Sequence, residues 1–315
     1  MPRVAVLAGG RSPEREISLR SGRRVVAALA DRGHEVRPLD PTEEPLVGSL
    51  AAVDACYVAL HGREGEDGTV QRLLELLGVP YTGSAPLACA LAFDKLLAKE
   101  ALRGAGIPTP PWAAVEASAL RDLGAGDALA RILERVGLPA VVKPARGGSA
   151  LGVRVVERRA DLPEAVMGAL AYADAALVEA RVRGVEVAVG MVGTPPEVLP
   201  PVEIRPKSGQ FDYAARYTFG ATEYFVPARL DPAAAAACER ASRAAFEVLG
   251  LRDIGRADLI VDDEGTPWLL EVNVSPGMTE TSLVPMAAEA AGLALPDLCD
   301  RVLSAALARN SSTID

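Results

Sequence analysis

Arg256-Ala257-Asp258 and Glu271-Val272-Asn273 are the residues whose types and spacing point most directly to chemistry. The first triplet lies in the apolar run GRADLIV and the second in WLLEVNVSPGMT, with the turn-forming Asp262-Asp263-Glu264-Gly265 between them. Two Val/Ile/Leu-rich runs around such a turn read as a β-hairpin. Side chains alternate along a strand, so Arg256 and Asp258 share a face, as do Glu271 and Asn273. An even-numbered loop sets Asp258 opposite Glu271 and Arg256 opposite Asn273, with Ile260 and Leu269 on the same face. Two carboxylates opposed on a largely apolar hairpin repel each other. A divalent cation removes the conflict, and two carboxylates with an amide oxygen suit Mg²⁺ holding nucleotide phosphates. The alternative is a solvated face of ordinary charges, which the apolar Ile260 and Leu269 disfavour.

A second constellation is Lys143-Pro144-Ala145-Arg146-Gly147-Gly148-Ser149-Ala150-Leu151-Gly152. Its glycines let the backbone approach a ligand and turn N–H groups towards phosphate oxygens, and Lys143 adds charge. It lacks the GxxxxGK[ST] pattern, and a strand rather than a helix follows it. Read by itself it is equally a flexible hairpin loop; the metal-suited hairpin favours a nucleotide. The strand Leu177-Val178-Glu179 ends in Ala180-Arg181-Val182, with Glu186 beyond. Such an edge and carboxylate can read an adenine amino group, and a second carboxylate can bind ribose, although surface charge is the default for these types.

Five smaller signals complete the set. Glu14 opens the first helix after a glycine loop, where a carboxylate suits the helix dipole, and Ser12 reads as that helix's cap with Arg15 three positions on. His61-Gly62 follows the third strand, at the end of an open α/β sheet where ligands bind, although a lone histidine is commonly structural. FDYAARYTFGATEYF, with Tyr213 and Tyr217, reads as a long loop of lid type. The turn Ser275-Pro276-Gly277-Met278-Thr279 offers backbone N–H groups to an oxyanion, and Ser282-Leu283 opens a helix, a natural carboxylate site.

The elements that carry these residues follow from the apolar pattern. Val4–Leu7, Glu35–Leu39 and Cys56–Leu60 read as strands, with helices from near Glu14 and over Val70–Leu77. This alternation indicates an open parallel α/β domain over residues 1–92. A helix from Asp94 leads to the Gly/Pro cluster at 104–111, a boundary signal. Strands Ala140–Lys143, Val153–Val156 and Leu177–Glu179 with a helix over Leu162–Leu170 make a small α+β unit, residues 93–180. Residues 181–315 are mostly strands with a long helix from Pro232 to Leu249, then the hairpin and two closing helices. No internal repeat is present.

The 315 residues suffice for two or three domains. A net charge of −9 argues against nucleic-acid binding by phosphate neutralisation. Cys56, Cys89, Cys238 and Cys299 show no CxxC spacing and read as buried free thiols in a reducing compartment. No apolar run reaches 18 residues, so no membrane span is expected. With no basic and apolar leader, a cytoplasmic location is expected, and Asn310–Asp315 read as a frayed tail.

With these residues in hand, the chain closely resembles the D-alanine–D-alanine ligases, enzymes of the ATP-grasp superfamily. The resemblance is carried by LAGGRSPEREISLRSG, ALHGREGEDGTVQ, PYTGS, FDK, VVKPARGGSALGV, FDYAARY, GRADLI and LLEVNVSPGMTETSLVPM, and spans nearly the whole length. It implies an ATP-grasp fold, in which the parallel α/β domain is followed by two α+β domains that clamp the nucleotide. It further implies ATP-dependent ligation of two D-alanines through an acyl phosphate, for peptidoglycan precursor synthesis. On this resemblance Glu14 binds the ammonium of the first D-alanine, while Ser149 and Tyr217 connect to Glu14 and close a loop over it. Lys95, Lys143 and Arg216 bind phosphates, with Gly148 and Ser149 in the glycine loop. Glu179, Ala180 and Val182 hold the adenine and Glu186 the ribose. Asp258, Glu271 and Asn273 ligate two ions, Mg²⁺ or Mn²⁺. Arg256 and the Gly277 amide stabilise an oxyanion, Ser282 and Leu283 hold the second D-alanine's carboxylate, and His61 stands nearby. The resemblance also implies a homodimer.

Two positions depart from the common pattern: Arg216 replaces a frequent lysine, and Ala150 a frequent serine. Arginine and lysine are not interchangeable, so altered loop energetics are expected at residue 216. Tyr217, where ester-forming relatives usually carry phenylalanine, favours the dipeptide product. The competing readings are a ligase for D-serine or D-lactate and a non-catalytic nucleotide-binding regulator. The latter has no need of Arg256 together with both metal carboxylates.

Overall fold

A computed structural model describes every residue except 125–127, 210, 212–214, 217, 219 and 312–315, and only the backbone of 128, 310 and 311. Tyr213 and Tyr217 lie outside the described residues, and the end of the expected lid, Thr222–Phe225, is a strand rather than a loop. The chain builds three sheets in succession. The first is parallel, with β1 (Arg3–Leu7), β2 (Glu35–Leu39) and β3 (Ala55–Val58) in the order β2-β1-β3. Val4–Leu7 are buried on both faces, as a central parallel strand requires. The second sheet is antiparallel and four-stranded: β4 (Trp112–Glu116), β5 (Ala140–Pro144), β6 (Arg154–Val156) and β7 (Ala175–Ala180), ordered β4-β7-β5-β6. The third has six strands: β8 (Val185–Val192), β9 (Glu197–Val198), β10 (Val202–Pro206), β11 (Thr222–Phe225), β12 (Ile254–Val261) and β13 (Pro267–Asn273). Its order is β11-β10-β8-β12-β13, with β9 beside β8. A parallel sheet followed by two antiparallel ones is the order of domains that the resemblance implies.

The loop after β1 shows how a glycine pair positions a functional side chain. Gly9 and Gly10 both have positive φ, and a Cβ on Gly9 would lie 2.2 Å from the Asp40 carboxylate. That carboxylate accepts from the Gly10 amide (3.2 Å) and the Thr42 amide (2.9 Å) and pairs with Arg15 (2.7 Å). The start of the helix Arg15–Asp31 is thereby fixed, with Glu14 at its N-cap. Ser12 is not the cap that the sequence suggested. Its hydroxyl donates to the His61 carbonyl (2.7 Å) and accepts from the Glu14 amide (3.2 Å), tying the loop to the end of the first sheet.

The hairpin has the expected register by an unexpected route. Arg256 pairs with Asn273 and Asp258 with Glu271, yet five residues (262–266) separate Val261 from its partner Pro267. A bulge after Asp258 absorbs the odd count, so Leu259 faces Leu269 and Ile260 faces Trp268. Leu269 is therefore turned into the core, fully buried, and Leu270 lines the cleft beside Glu271 in its place. The bulge switches faces within one strand, so alternation counted through it misplaced Leu269.

Packing joins the first and third sheets. Val25, Ala28 and Leu29 of the first helix share a core with Ala188, Val192, Val284, Leu298 and Leu303. A polar knot reinforces the contact: Asp253, fully buried at φ +64°, accepts from the Gly83 amide (2.9 Å). It also takes both ends of the Arg309 guanidinium at 2.6 and 2.7 Å. All four cysteines are buried and free, and no described helix is long and apolar enough to cross a membrane. Removing Arg309 strands the Asp253 charge. Arg309→Met is expected to lower unfolding free energy by about 3–5 kcal/mol, measured by urea denaturation; a loss under about 1 kcal/mol would contradict the knot's role.

Candidate active site

Two clefts meet between the sheets. The larger, about 700 Å³, runs between the four-stranded sheet (Val141, Lys143, Glu179) and the six-stranded one (Glu186, Asp258, Ile260, Glu271). The smaller, about 90 Å³, is lined by Glu14, His61, Ser149, Arg256, Asn273, Gly277, Ser282 and Leu283, among others. Lys95, Gly147, Gly148, Phe211, Arg216 and Glu271 line both. The hairpin face thus divides its residues: Arg256 and Asn273 open to the small cavity, Asp258 to the large, and Glu271 to both.

The opposed carboxylates are each held by a cation. The Arg256 guanidinium forks onto Asp258, with Nε–Oδ1 at 2.7 Å and Nη2–Oδ2 at 2.8 Å. Lys95 Nζ lies 3.3 Å from Glu271 and donates to the Gly147 carbonyl at 2.6 Å. Burial raises the Glu271 carboxyl, but Lys95, Lys143, Arg216 and Arg256 outweigh it and bring it from 4.5 down to about 2. Asn273 Oδ1 accepts from the Ser275 amide (2.8 Å), which aims it along the turn. At Glu186 burial dominates, with Asp258 and Glu271 adding to it against Arg216, and the carboxyl is pushed up to about 7.

The far wall of the large cleft carries Glu179, buried between two ammonium groups. Lys143 Nζ lies 2.6 Å from Oε1, and Lys99 Nζ, slightly out of hydrogen-bond alignment, 2.8 Å from Oε2. Burial would raise this carboxyl, but Lys143 and then Lys99 keep it below its ordinary value. Val182 and Gly148 line the same cleft, whereas Ala180 does not. Arg216 stacks on the Phe211 ring at 4.3 Å and donates to the Phe211 carbonyl at 3.2 Å. Phe211 in turn meets Tyr224 edge-on, 6.5 Å between centroids.

At the small cavity the Ser149 hydroxyl donates to Glu14 Oε1. Ser149 and Ala150 both hold positive φ, +52° and +57°, a conformation costly for residues with a Cβ. The glycine loop is thus bent onto a side chain 135 residues earlier. Gly148 lets the loop come close, since a Cβ there would stand 2.9 Å from Glu14 Oε1 and push the carboxylate aside. Glu66, which the sequence reading missed, stands close by: its carboxylate is 3.7 Å from His61 Nδ1, while His61 Nε2 pairs with Ser21 Oγ at 2.9 Å. Burial, then Glu66, raises the Glu14 carboxyl above its ordinary value, and the Ser149 bond opposes the rise. Ser282 N-caps the helix Leu283–Ala290, and its hydroxyl accepts from the Thr279 amide at 2.9 Å. Lys99 and Glu66 carried no signal beyond ordinary charge; only their burial marks them.

Residues 101–304 match the family described as D-ala D-ala ligase C-terminus, and 40–84 the D-ala D-ala ligase N-terminus. The chain is 45% identical over 305 residues to a D-alanine–D-alanine ligase of Anaeromyxobacter dehalogenans, covering 96% of each. It is 45% identical to that of Moorella thermoacetica, covering 97% of this chain and 99% of the relative. The fold superposes with TM-score 0.85 on the Bacillus anthracis D-alanine–D-alanine ligase complexed with ATP, at 31% identity over 99% of this chain and 100% of that one. A D-Ala:D-Ser ligase of Enterococcus faecalis also gives 0.85, at 27% identity, covering 97% and 99%.

A carboxyl depressed in the fold contributes stability above its unfolded value and loses it as pH falls through the folded one. For metal-free protein, Glu271→Gln is therefore expected to flatten the stability–pH curve between about 4.5 and about 2. Chemical denaturation across that window measures it; an unchanged slope would contradict the pairing with Lys95.

Proposed function

The chain belongs to the D-alanine–D-alanine ligase family, and from that premise we propose how its two clefts share the reaction. It is an ATP-dependent ligase: ATP and two D-alanines give D-alanyl-D-alanine, ADP and phosphate. The large cleft takes ATP, and the small cavity the amino acids. The observation that carries this reading is the hairpin face itself, whose Glu271 borders both spaces while Arg256 and Asp258 look into one each. The three sheets correspond, on our reading, to units 1–92, 93–180 and 181–315.

On the nucleotide side, Glu179 accepts from the adenine amino group with backbone help from Ala180 and Val182, and Glu186 holds the ribose. Lys95, Lys143, Gly148 and Arg216 meet the phosphates. Asp258, Glu271 and Asn273 fit a divalent pair, Mg²⁺ or Mn²⁺: two carboxylates opposed in register, with an amide oxygen beside them, form a hard-oxygen donor set. Among the described residues no cluster of three or more His, Cys, Asp or Glu is gathered for a metal, and phosphate oxygens would add to the donors that these residues supply. When bound, the ions neutralise charge on the transferring phosphoryl group.

On the amino-acid side, Glu14 holds the first D-alanine's ammonium and Ser149 orients Glu14, with Tyr217 as a further partner. The first carboxylate attacks the γ-phosphate and leaves ADP, forming an acyl phosphate. The second D-alanine, held by Ser282 and Leu283 near His61, attacks the acyl carbon through its amine. Arg256 and the Gly277 amide meet the oxyanion, which collapses with loss of phosphate. Water has to be kept from the acyl phosphate formed in the small cavity. The relatives at 45% identity favour D-alanine over D-serine as second substrate. We further propose a cytoplasmic homodimer acting in peptidoglycan precursor synthesis.

The test is phosphate release from ATP with and without D-alanine, with chromatography of the product. D-alanine-dependent release and a single dipeptide are expected; release that ignores D-alanine would overturn the reading. Arg256→Ala is expected to cut kcat by roughly 10²–10³, the effect of losing an oxyanion donor. Near-normal turnover would remove Arg256 from that role. Glu14→Gln should raise the D-alanine KM far more than the ATP KM, and equal changes would contradict its place at the ammonium.

A further inference from the structure

Lys99 is the largest side chain buried almost completely, at 1% exposure, and nothing in the reaction above uses it. It lies one helical turn after Lys95 on the helix Lys95–Gly104. The two lysines divide sharply: Lys95 lines both clefts, whereas Lys99 lines neither and faces the back of Glu179. Its ammonium is 2.8 Å from Glu179 Oε2 and donates to Thr109 Oγ1 at 2.5 Å. Lys143 holds the other carboxylate oxygen, at 2.6 Å, from within the cleft.

One carboxylate therefore has two counter-ions, and only one is within reach of a nucleotide. A phosphate entering the cleft competes with Glu179 for Lys143. Were Lys143 the sole partner, binding would leave a buried carboxylate without counter-charge, a strongly unfavourable state that ends in protonation. A protonated carboxyl is a poorer acceptor for an adenine amino group. We propose that Lys99 is a positioning residue for base recognition: it is the permanent counter-ion that keeps Glu179 an ionised, oriented acceptor while Lys143 turns to the phosphates. Burial lowers the Lys99 ammonium to about 8, with Glu179 opposing, so it still carries its charge at neutral pH. The proposal rests on the reading of Glu179 as the adenine residue.

The test compares kcat/KM for ATP and for inosine triphosphate, which has an oxo group in place of the adenine amino group. Their ratio does not depend on how much of a preparation is folded. In the unaltered enzyme ATP should be preferred, and Glu179→Gln should reduce the ratio at least tenfold. If Glu179→Gln leaves it unchanged, the adenine reading fails and this inference with it. Given that preference, Lys99→Met should also reduce the ratio at least tenfold and raise the ATP KM, with the D-alanine KM nearly unchanged. A merely structural lysine would lower the yield of active enzyme and leave both the ratio and the ATP KM alone. Retained preference in Lys99→Met, beside a lost one in Glu179→Gln, overturns the inference while leaving the adenine reading intact. Should Lys99→Met fail to fold, Thr109→Val carries the test, since it removes the oxygen that anchors the ammonium. A smaller fall in the ratio supports the inference, and no change overturns it.

Discussion

The structure depends on one electrostatic constraint, the opposition of Asp258 and Glu271 across β12 and β13. Two carboxylates at one rung of a largely buried hairpin need compensating charge. The protein supplies it from two directions. Arg256 forks onto Asp258 from the same strand, and Lys95 reaches Glu271 from a helix before the second sheet. Cations bound with ATP can take over that compensation. On the proposed reading Arg256 would then turn to the small cavity it already lines, and one side chain would link nucleotide binding to the oxyanion site.

The same arrangement recurs on the opposite wall and at the substrate end. Glu179 sits between Lys143 and Lys99, and Glu14 between Ser149 and the charge of Glu66. Lys99 holds Glu179 from outside both clefts, whereas Ser149 shares the small cavity with Glu14 and Glu66 adds like charge there. That support joins distant parts of the chain: the strained Ser149-Ala150 turn of the second sheet closes on a residue preceding the first helix. Such cross-sheet pairs form only when the sheets they join are docked, and the Asp253–Arg309 knot helps to dock the first sheet on the third.

Much of this was legible in the sequence because the physics is local. β1 and β2 are runs bounded by glycine turns, and the hairpin triplets lie within a few residues of their turn. The opposed register was foreseen, but from an even loop, whereas the protein reaches it with an odd loop and a bulge. A bulge leaves no mark on alternation, and so Leu269 was put on the wrong face. Ser12 resembled a cap because its type and place fit, but its hydroxyl proton goes to a carbonyl 49 residues away. The strand Trp112–Glu116 hid behind the prolines at 108–111, which read only as a boundary. Lys99 and Glu66 were invisible for a related reason: a charged residue in a polar segment reads as surface until tertiary packing buries it.

The central claim is that Asp258 and Glu271 exchange protein cations for metal ions when nucleotide arrives. The most direct measurement is Mn²⁺ binding, followed by electron paramagnetic resonance, with and without a non-hydrolysable ATP analogue. The account predicts weak binding without nucleotide and strong binding with it, and at least a tenfold loss of the strong mode in Asp258→Asn/Glu271→Gln. Nucleotide-dependent Mn²⁺ affinity that survives unchanged in the double variant would contradict it.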